Sequence, residues 1–495
     1  MHITQINTLM NVSKVEFGTS GARGLVSAMT DEICYSYTQA FIKYIQARNQ
    51  DSIKTIAIAG DLRDSTPRIM TSIFKAAKDL EIDVINCGFI PSPALALFGI
   101  IEKIPSIMVT GSHIPDDRNG IKFNTPSGEI TKKDEEGIRE QNITINPSLF
   151  NHEGEFIEQQ KLPSIDLRAE KLYLERYLTF FAKDSLTGQK IGVYQHSGVA
   201  RDIIPKLLES LGAEVILLGR SEHFIPVDTE AIRDEDTQLA KKWADEFNIN
   251  AIVSTDGDAD RPLISDEKGQ WLRGDTIGPL CAKILNAKYI ATPISCNSIV
   301  ELSEYFKEVK RTKIGSPYVI EGMQLLADKG YKNIVGYEAN GGFLNHDQIE
   351  SEGKFLSPLP TRDALIVIIA LLQRANKLNL KISDLLKELP QRYTFSNRIK
   401  NIPTKESKLL LQQIKQSFVN NISNESLNFL RSHLGEITHI DTTDGLKIHF
   451  KSNYIIHLRP SGNAPELRCY SEASTEKEAI KINNTVINHV ASFFN

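Results

Sequence analysis

The chain has 495 residues, room for three or four domains, and its 41% hydrophobic and 24% charged residues are ordinary for a protein with sizeable cores. A formal net charge of −5 with no block of one sign excludes, as expectations, a nucleic-acid partner and an anionic-membrane partner. The five cysteines (Cys34, Cys87, Cys281, Cys296, Cys469) are scattered without a C-x-x-C pair, no apolar run is long enough for a membrane span, and residues 1–24 lack a signal-peptide core, so the expected location is the reducing cytoplasm, with no disulfide framework.

Residues 1–11 are polar and are expected to be loose or paired at a sheet edge. FGTSGARG at 17–24 puts three glycines around one charge, Arg23; it fits a solvated turn as well as a loop that lets Arg23 face an anion. Residues 33–48 have the spacing of an amphipathic helix. Residues 53–59 predict a buried strand, GDLRDST at 60–66 a turn, and Pro67 the first turn of a helix to residue 80. Residues 84–86 predict a further strand, stopped by Gly88, which makes a βαβ unit and implies a parallel sheet.

TGSHIPDDRNGIKF at 110–123 follows the short apolar run 106–109. Its turn formers make a tight loop that could present Ser112, with His113 beside it and Lys122 closing it; a polar surface turn is the competing reading.

The βαβ plan recurs with a strand at 190–194, a helix at 200–211 and a strand at 214–218 stopped by Gly219; LEIDVINCG at 80–88 and LGAEVILLG at 211–219 align without gaps. A looser third copy takes a strand at 289–294, a helix near 299–306 and a strand at 309–315. Periods of this size indicate duplicated domains rather than a solenoid. Expected domains are 1–163, 164–270, 271–390 and 391–495. The fold class is α/β: three related α/β domains with mixed, mainly parallel sheets and a smaller α+β C-terminal domain around a central cleft. In that last domain 404–434 is helical, 445–450 and 454–458 are strands, and Thr475 with Glu478 starts a closing helix to residue 494 as a capping box.

The run DGDADRP at 256–262 follows a buried strand at 252–255. Asp256, Asp258 and Asp260 alternate, which suits hard oxygen ligation of Mg²⁺ or Ca²⁺, and the run lacks the glycine and glutamate of an EF-hand loop. Arg261 directly after them makes sense where the metal's other ligand is phosphorylated. GYEANGGF at 336–343 offers Glu338 and Asn340 on a glycine-rich turn; they suit vicinal sugar hydroxyls, and a plain turn fits equally well. RPSGNAPELR at 459–468 brings Arg459, Ser461, the Gly462 amide and Asn463 around one concavity, a phosphate nest or a hairpin turn, with Pro465 and Arg468 expected to be structural.

In order and over nearly the whole chain, these five stretches resemble the α-D-phosphohexomutase superfamily, the phosphomannomutases and phosphoglucomutases. The resemblance implies four domains around a central cleft. It implies that Ser112 is carried as phosphoserine, that this group with Asp256, Asp258 and Asp260 holds one Mg²⁺, and that hexose 6-phosphate and hexose 1-phosphate interconvert through a hexose 1,6-bisphosphate, which also serves as activator. Arg23 is assigned to the phosphoserine, and His113, Lys122 and Arg261 to charge stabilisation and proton transfer. Glu338 and Asn340 are assigned to sugar hydroxyls, and Arg459, Ser461, Gly462 and Asn463 to the phosphate that is not transferred. The implied partners are small hexose phosphates, without nucleic acid or membrane, on a monomer or homodimer.

Departures from the pattern are Ala259 where many members have glycine, a small change; Asn340 where serine is commoner; Gly342 where several bacterial members have histidine; and IGSPY at 314–318, where members often place a basic residue. The EANGG and GNAPE variants look most like bacterial phosphomannomutases. Phosphoglucomutase and phosphoglucosamine mutase are the neighbouring readings, and a non-catalytic sugar-phosphate binder and a plain phosphatase are those of another class. A last domain that closes over the cleft is expected to keep water out.

Overall fold

The computed structural model describes residues 2–18, 21–48, 53–461 and 465–494. Three of its sheets share one plan. In the first, Asp83–Phe89, Thr55–Gly60, Ser106–Val109 and Arg118–Thr125 lie side by side in that order. The second runs Glu214–Arg220, Lys190–His196, Ala251–Thr255, Pro262–Ile264, and the third runs Glu308–Thr312, Tyr289–Pro293, Ile334–Tyr337, Phe343–Asn345. Each has three parallel strands and a fourth that returns antiparallel beside the third in sequence. The third strands, Ser106–Val109, Ala251–Thr255 and Ile334–Tyr337, are buried throughout, as strands covered on both faces must be. The mixed α/β repeat read from the sequence is therefore present. The first sheet is extended by Gly21–Leu25 and Glu16–Phe17.

Several local expectations are corrected. Of the opening residues, His2–Gln5 do pair, with Asn142–Ile145 far along the chain, but those that follow form a helix, Ile6–Ser13. Gly88 and Gly219 do not end their strands; each sits inside one at positive φ, 72° and 55°, a local kink that glycine makes cheap. The third module's crossover helix shrinks to Ile299–Leu302. The helical stretch near 404–434 is two helices, Thr404–Val419 and Glu425–Leu434. Thr475 caps Glu476–Ala491 by accepting from the Glu478 amide, and its hydroxyl donates to the Glu478 carboxylate.

One apolar core runs through all three modules. It joins Ala57 and Phe98 to Ile191 and Val253, then to Leu280, Val335 and the helix Ala364–Leu378, which is buried almost all round. The fourth unit has a core of its own, from Ile402 to Val490, under a five-stranded antiparallel sheet ordered Tyr393–Lys400, Glu466–Ala473, Ile455–Pro460, Leu446–Phe450, Ile437–Asp441. The five cysteines are free and buried, and no described helix is long and apolar enough to cross a membrane.

Candidate active site

Ligand sites of open α/β sheets lie beyond the carboxyl ends of the strands. In each module the loop between third and fourth strands occupies that place. These loops are 110–117, 256–261 and 338–342, the three stretches singled out for chemistry.

The first loop is framed by a buried arginine that sequence reasoning passed over as part of a turn. Arg63 donates to the carbonyls of Pro115, Arg118, Ser112 and Ile114 at 2.8, 3.0, 3.1 and 2.6 Å, and its guanidinium lies over the Phe224 ring at 3.8 Å. Asp61 balances its charge and accepts from Thr110 Oγ1 at 2.7 Å, which in turn accepts from the Ser112 amide at 2.7 Å. Ser112 is thereby held at φ 56°, in the left-handed region where strained functional residues concentrate. Its side chain is 1% exposed, and Oγ donates to Asp256 Oδ2 at 2.6 Å and lies 3.2 Å from His113 Nδ1.

The second loop brings one carboxylate oxygen each of Asp256, Asp258 and Asp260 within 4.8 Å of one another, all buried. Lys122 donates to Asp258 Oδ2 at 2.5 Å and Asp260 Oδ2 at 2.9 Å. Ser92 Oγ donates to Asp258 Oδ2 at 2.5 Å, and Arg261 Nε stands 3.7 and 3.6 Å from Asp256 and Asp260. Asp258 Oδ1 and Asp260 Oδ1 are buried and accept no hydrogen bond among the described residues, Asp260 Oδ1 having only the 3.6 Å ion pair with Arg261, while the other oxygens of those two carboxylates are engaged. Two anionic oxygens without hydrogen bonds beside a third carboxylate are what a hard divalent cation requires, so the donor set fits one. Gly257 permits the meeting of the two loops: a Cβ there would lie 2.5 Å from the Ser112 carbonyl oxygen.

Charge in this cluster is finely opposed. Burial and the neighbouring Asp258 and Asp260 push the Asp256 carboxyl well up. Burial acts the same way on Asp260, but Arg362, Lys122 and Arg261 outweigh it and hold Asp260 far below the usual carboxylate range. Burial, with Arg261 and Arg23 nearby, drives His113 down to about 2, so its imidazole is neutral. Arg23, on the strand Gly21–Leu25 opposite Gly120, makes no ion pair among the described residues; burial and then Arg261 and Arg362 lower it to about 10. A cation so placed gains most from an arriving anion.

On the third loop, Glu338 accepts from Arg362 Nη1 at 3.2 Å. Asn340 Oδ1 is taken by the Gly342 amide at 2.9 Å, which leaves its NH₂ group for other partners. Glu338 and Asn340 line one cavity with Glu230, Arg459, Arg468 and Tyr470, so the sugar-reading and phosphate-holding stretches do meet. Arg459 pairs with Asp444 at 3.0 Å and Ser461 is buried; Gly462 and Asn463 lie outside the described residues. Arg468, expected to be structural, faces this cavity, because it sits directly across the strand pair from Arg459.

Arg362, Ser92 and Glu230 were not anticipated. Each reaches the site from a segment without motif character, and only the packing of one module on the next brings them in. Ala259 is a larger departure than its size suggests, since it holds φ 59°, a conformation glycine takes without strain.

Four family models match the chain in order. They are the phosphoglucomutase/phosphomannomutase alpha/beta/alpha domains I, II and III at residues 14–147, 171–269 and 273–393, and the C-terminal domain at 399–489. A phosphomannomutase of Salmonella muenchen is 44% identical over 487 residues, spanning 98% of this chain and 97% of its own. One of Sinorhizobium fredii is 42% identical over 459 residues, spanning 92% and 95%. Among solved structures, a phosphoglucomutase/phosphomannomutase family protein of Burkholderia thailandensis superposes with a TM-score of 0.71 at 19% identity, covering 97% of each chain.

Proposed function

The chain belongs to the phosphoglucomutase/phosphomannomutase family and is a phosphohexomutase; on that premise we propose that it interconverts mannose 6-phosphate and mannose 1-phosphate through a phosphoserine at Ser112 and a hexose 1,6-bisphosphate. The single observation that carries the reading is Ser112 Oγ, 2.6 Å from Asp256 at the mouth of a three-aspartate cage. The choice of mannose rests on the two phosphomannomutases at 44% and 42% identity.

Mg²⁺, held by Asp256, Asp258, Asp260 and the phosphoserine, would neutralise charge on the phosphoryl oxygens. The chain's own groups do the rest. Ser112 Oγ carries the phosphoryl group between turnovers. In transfer the bond from phosphorus to Oγ breaks, a bond to the sugar oxygen forms, and the sugar hydroxyl gives up its proton. That proton is taken up in the end by Ser112 Oγ, the oxygen that leaves phosphorus, and His113, with Nδ1 3.2 Å from Oγ, is the group placed to relay it once the anionic substrate offsets the cations beside the ring. Lys122 and Arg261 stabilise charge at the leaving oxygen, and Arg23 contacts the phosphate on Ser112. The bisphosphate then turns over and returns its other phosphate to Ser112; added bisphosphate primes unphosphorylated enzyme, hence its role as activator.

Glu338 and the Asn340 NH₂ read sugar hydroxyls, and Arg459, Ser461, Gly462 and Asn463 hold the remaining phosphate. Arg468 in the same cavity supports an answer to the charge missing at 314–318: it supplies that cation from the fourth domain. Free, buried cysteines support a cytoplasmic setting.

The test is a panel of hexose 1-phosphates with Mg²⁺ and a priming bisphosphate, on the wild type and Ser112→Ala, with mass spectrometry of the Ser112 peptide. Mannose 1-phosphate is expected to be turned over best, the peptide to carry one phosphate, and the alanine variant to be folded and inactive. An active alanine variant removes Ser112 from the mechanism, and much faster turnover of glucose 1-phosphate removes the mannose assignment.

A further inference from the structure

Arg362 stands just before the helix Ala364–Leu378 and is 3% exposed. Its Nε donates to Asp260 Oδ2 at 3.0 Å, its Nη2 lies 2.8 Å from the same oxygen as an ion pair, and its Nη1 donates to Glu338 Oε2 at 3.2 Å. One rigid fork thus spans the cation loop of the second module and the sugar loop of the third. Arg362 is the one side chain among the described residues that holds the Glu338 carboxylate. On Asp260 it engages Oδ2 and leaves Oδ1 to the cage.

The root of this side chain is fixed. Asp363, next to it, caps the helix through Leu365 N, receives the hydroxyls of Tyr173 and Tyr177 at 2.9 and 2.5 Å, and donates its own amide to Phe343 O at 2.8 Å. The seat is equally specific. A Cβ on Gly342 would lie 2.5 Å from Arg362 Cδ, 2.6 Å from Cγ and 3.1 Å from Cβ. The backbone of Gly342 is not in the left-handed region, so space rather than conformation demands glycine there.

We propose that Gly342 and Arg362 are a matched pair: the absent side chain at 342 opens the slot for a guanidinium that positions Glu338 toward the sugar while it orients Asp260 in the cation loop. Arg362 is a positioning residue, and the inference rests on the reading of Glu338 as a reader of sugar hydroxyls. A buried carboxylate that loses its cation pays the full cost of burial, so Glu338 will not keep its place when Arg362 leaves. Independent contacts give additive effects, whereas residues that share one seat do not.

The test is a double-mutant cycle of Gly342→Ala, Arg362→Ser and the two together, with Arg362→Lys as the charge-keeping variant and thermal unfolding to verify the fold. The readouts are kcat/KM on mannose 1-phosphate and, in a Ser112→Ala background, calorimetric affinity for the same compound and its 2-, 3- and 4-deoxy analogues. Each single substitution is expected to lower kcat/KM about a hundredfold, since misplacement of about 1 Å has that effect. The double variant is expected to be no more than about twofold worse than the poorer single one, whereas independent sites would make it about a hundredfold worse than that variant, about ten-thousandfold below the wild type. The deoxy analogue that the parent rejects most strongly is expected to bind Arg362→Ser as well as the intact sugar does, which a general loosening of the fold would not produce. Arg362→Lys is expected to restore part of the discrimination. Multiplicative losses in the cycle, or an evenly weakened series with discrimination intact, overturn the pairing. An inactive wild type sinks the mutase reading instead, and the calorimetric cycle then decides the pairing by itself.

Discussion

The loops at 256–261 and 338–342 occupy the same place in successive modules and share one frame. In each, the first residue's carbonyl accepts from the amide three residues on (Ala259 to Asp256 at 3.2 Å, Gly341 to Glu338 at 2.9 Å), and the first residue's amide bonds the loop's last carbonyl, Arg261 or Gly342. In each the fourth residue is left-handed, at φ 59° and 88°. Their chemistry is nonetheless unlike. The first carries three carboxylates sealed against Ser112 and Lys122; the second carries one carboxylate and one amide on a cavity that the fourth domain shares. The duplicated fold sets where a loop stands. What its side chains do depends on the neighbour that closes over it: the first module in one case, the fourth domain in the other.

The sealed loop is where a single charge matters most. Asp258→Asn takes the anionic character from a cage oxygen that accepts no hydrogen bond and leaves Lys122 with a weaker partner. The expected result is a Mg²⁺ requirement raised at least about a hundredfold and kcat/KM down about a thousandfold. Titration of activity against Mg²⁺ checks it, and an unchanged Mg²⁺ dependence would take Asp258 out of the cage. Gly257→Ala leaves every charge in place and attacks only the seal. The added methyl must push the Ser112 carbonyl back from 2.5 Å, so activity is expected to fall about a hundredfold, with Mg²⁺ affinity changed far less than in Asp258→Asn. Crystal coordinates showing Ser112 unmoved in an impaired variant would refute the cause.

The same contrast explains what could be read from the sequence. Asp256, Asp258 and Asp260 were legible because a cation cage built on one loop needs carboxylates at short, regular spacing. The module repeat was legible in the gapless match of 80–88 with 211–219, stretches that lead into the edge strands of two sheets, each second in chain order in its module. Arg362 was not, since its meaning lies in Asp260 and Glu338, 102 and 24 residues away, and in a void at Gly342 that only coordinates reveal. Nor was Arg63, whose partners are mostly carbonyls and carry no side-chain signature. The helix Ile6–Ser13 was missed for a related reason: it buries little beyond Ile6, and the pairing of His2–Gln5 with the distant Asn142–Ile145 places it.

The open loop depends on how the fourth domain docks, and a buried lysine ties that docking to pH. Lys447 donates to Ile294 O at 2.8 Å and Cys296 O at 3.2 Å across the junction with the third module, while Glu472 accepts from Ser298 there. Burial, aided by Arg311, pushes Lys447 down to about 8. The undocked side chain would titrate near its ordinary value of about 10.4. Below pH 8 both states carry the proton, and docking bears the whole cost of burying charge. Between about 8 and 10.4 the undocked state binds more protons, so docking strengthens as pH rises, by about tenfold or more across the window. Small-angle scattering at pH 7 and pH 10 should show a more compact ligand-free protein at the higher pH, and Lys447→Met should be compact at both. A wild type that expands on going to pH 10 while Lys447→Met does not would reverse the sign assigned to this group.

The smallest effect concerns the shared left-handed position itself. Ala259 bears strain of about 1–2 kcal/mol that its counterpart Gly341 avoids, so glycine looks like the better residue there. Two terms oppose the exchange. Glycine loses more backbone freedom on folding, about 0.4–1 kcal/mol. The Ala259 methyl is fully buried in the core shared by the three modules, worth about 0.8 kcal/mol as a buried carbon. The terms nearly cancel, so Ala259→Gly should change stability by no more than about 1 kcal/mol, with mutase activity close to wild type. The reverse exchange, Gly341→Ala, lacks that compensation: it adds strain at φ 88° and brings a Cβ to 3.0 Å from Pro262 Cγ at the far end of the cation loop. Thermal unfolding of the two variants side by side should therefore give unequal shifts, with the larger loss in Gly341→Ala; equal shifts would mean that the two loops, matched in frame, are also matched in how their neighbours press on them.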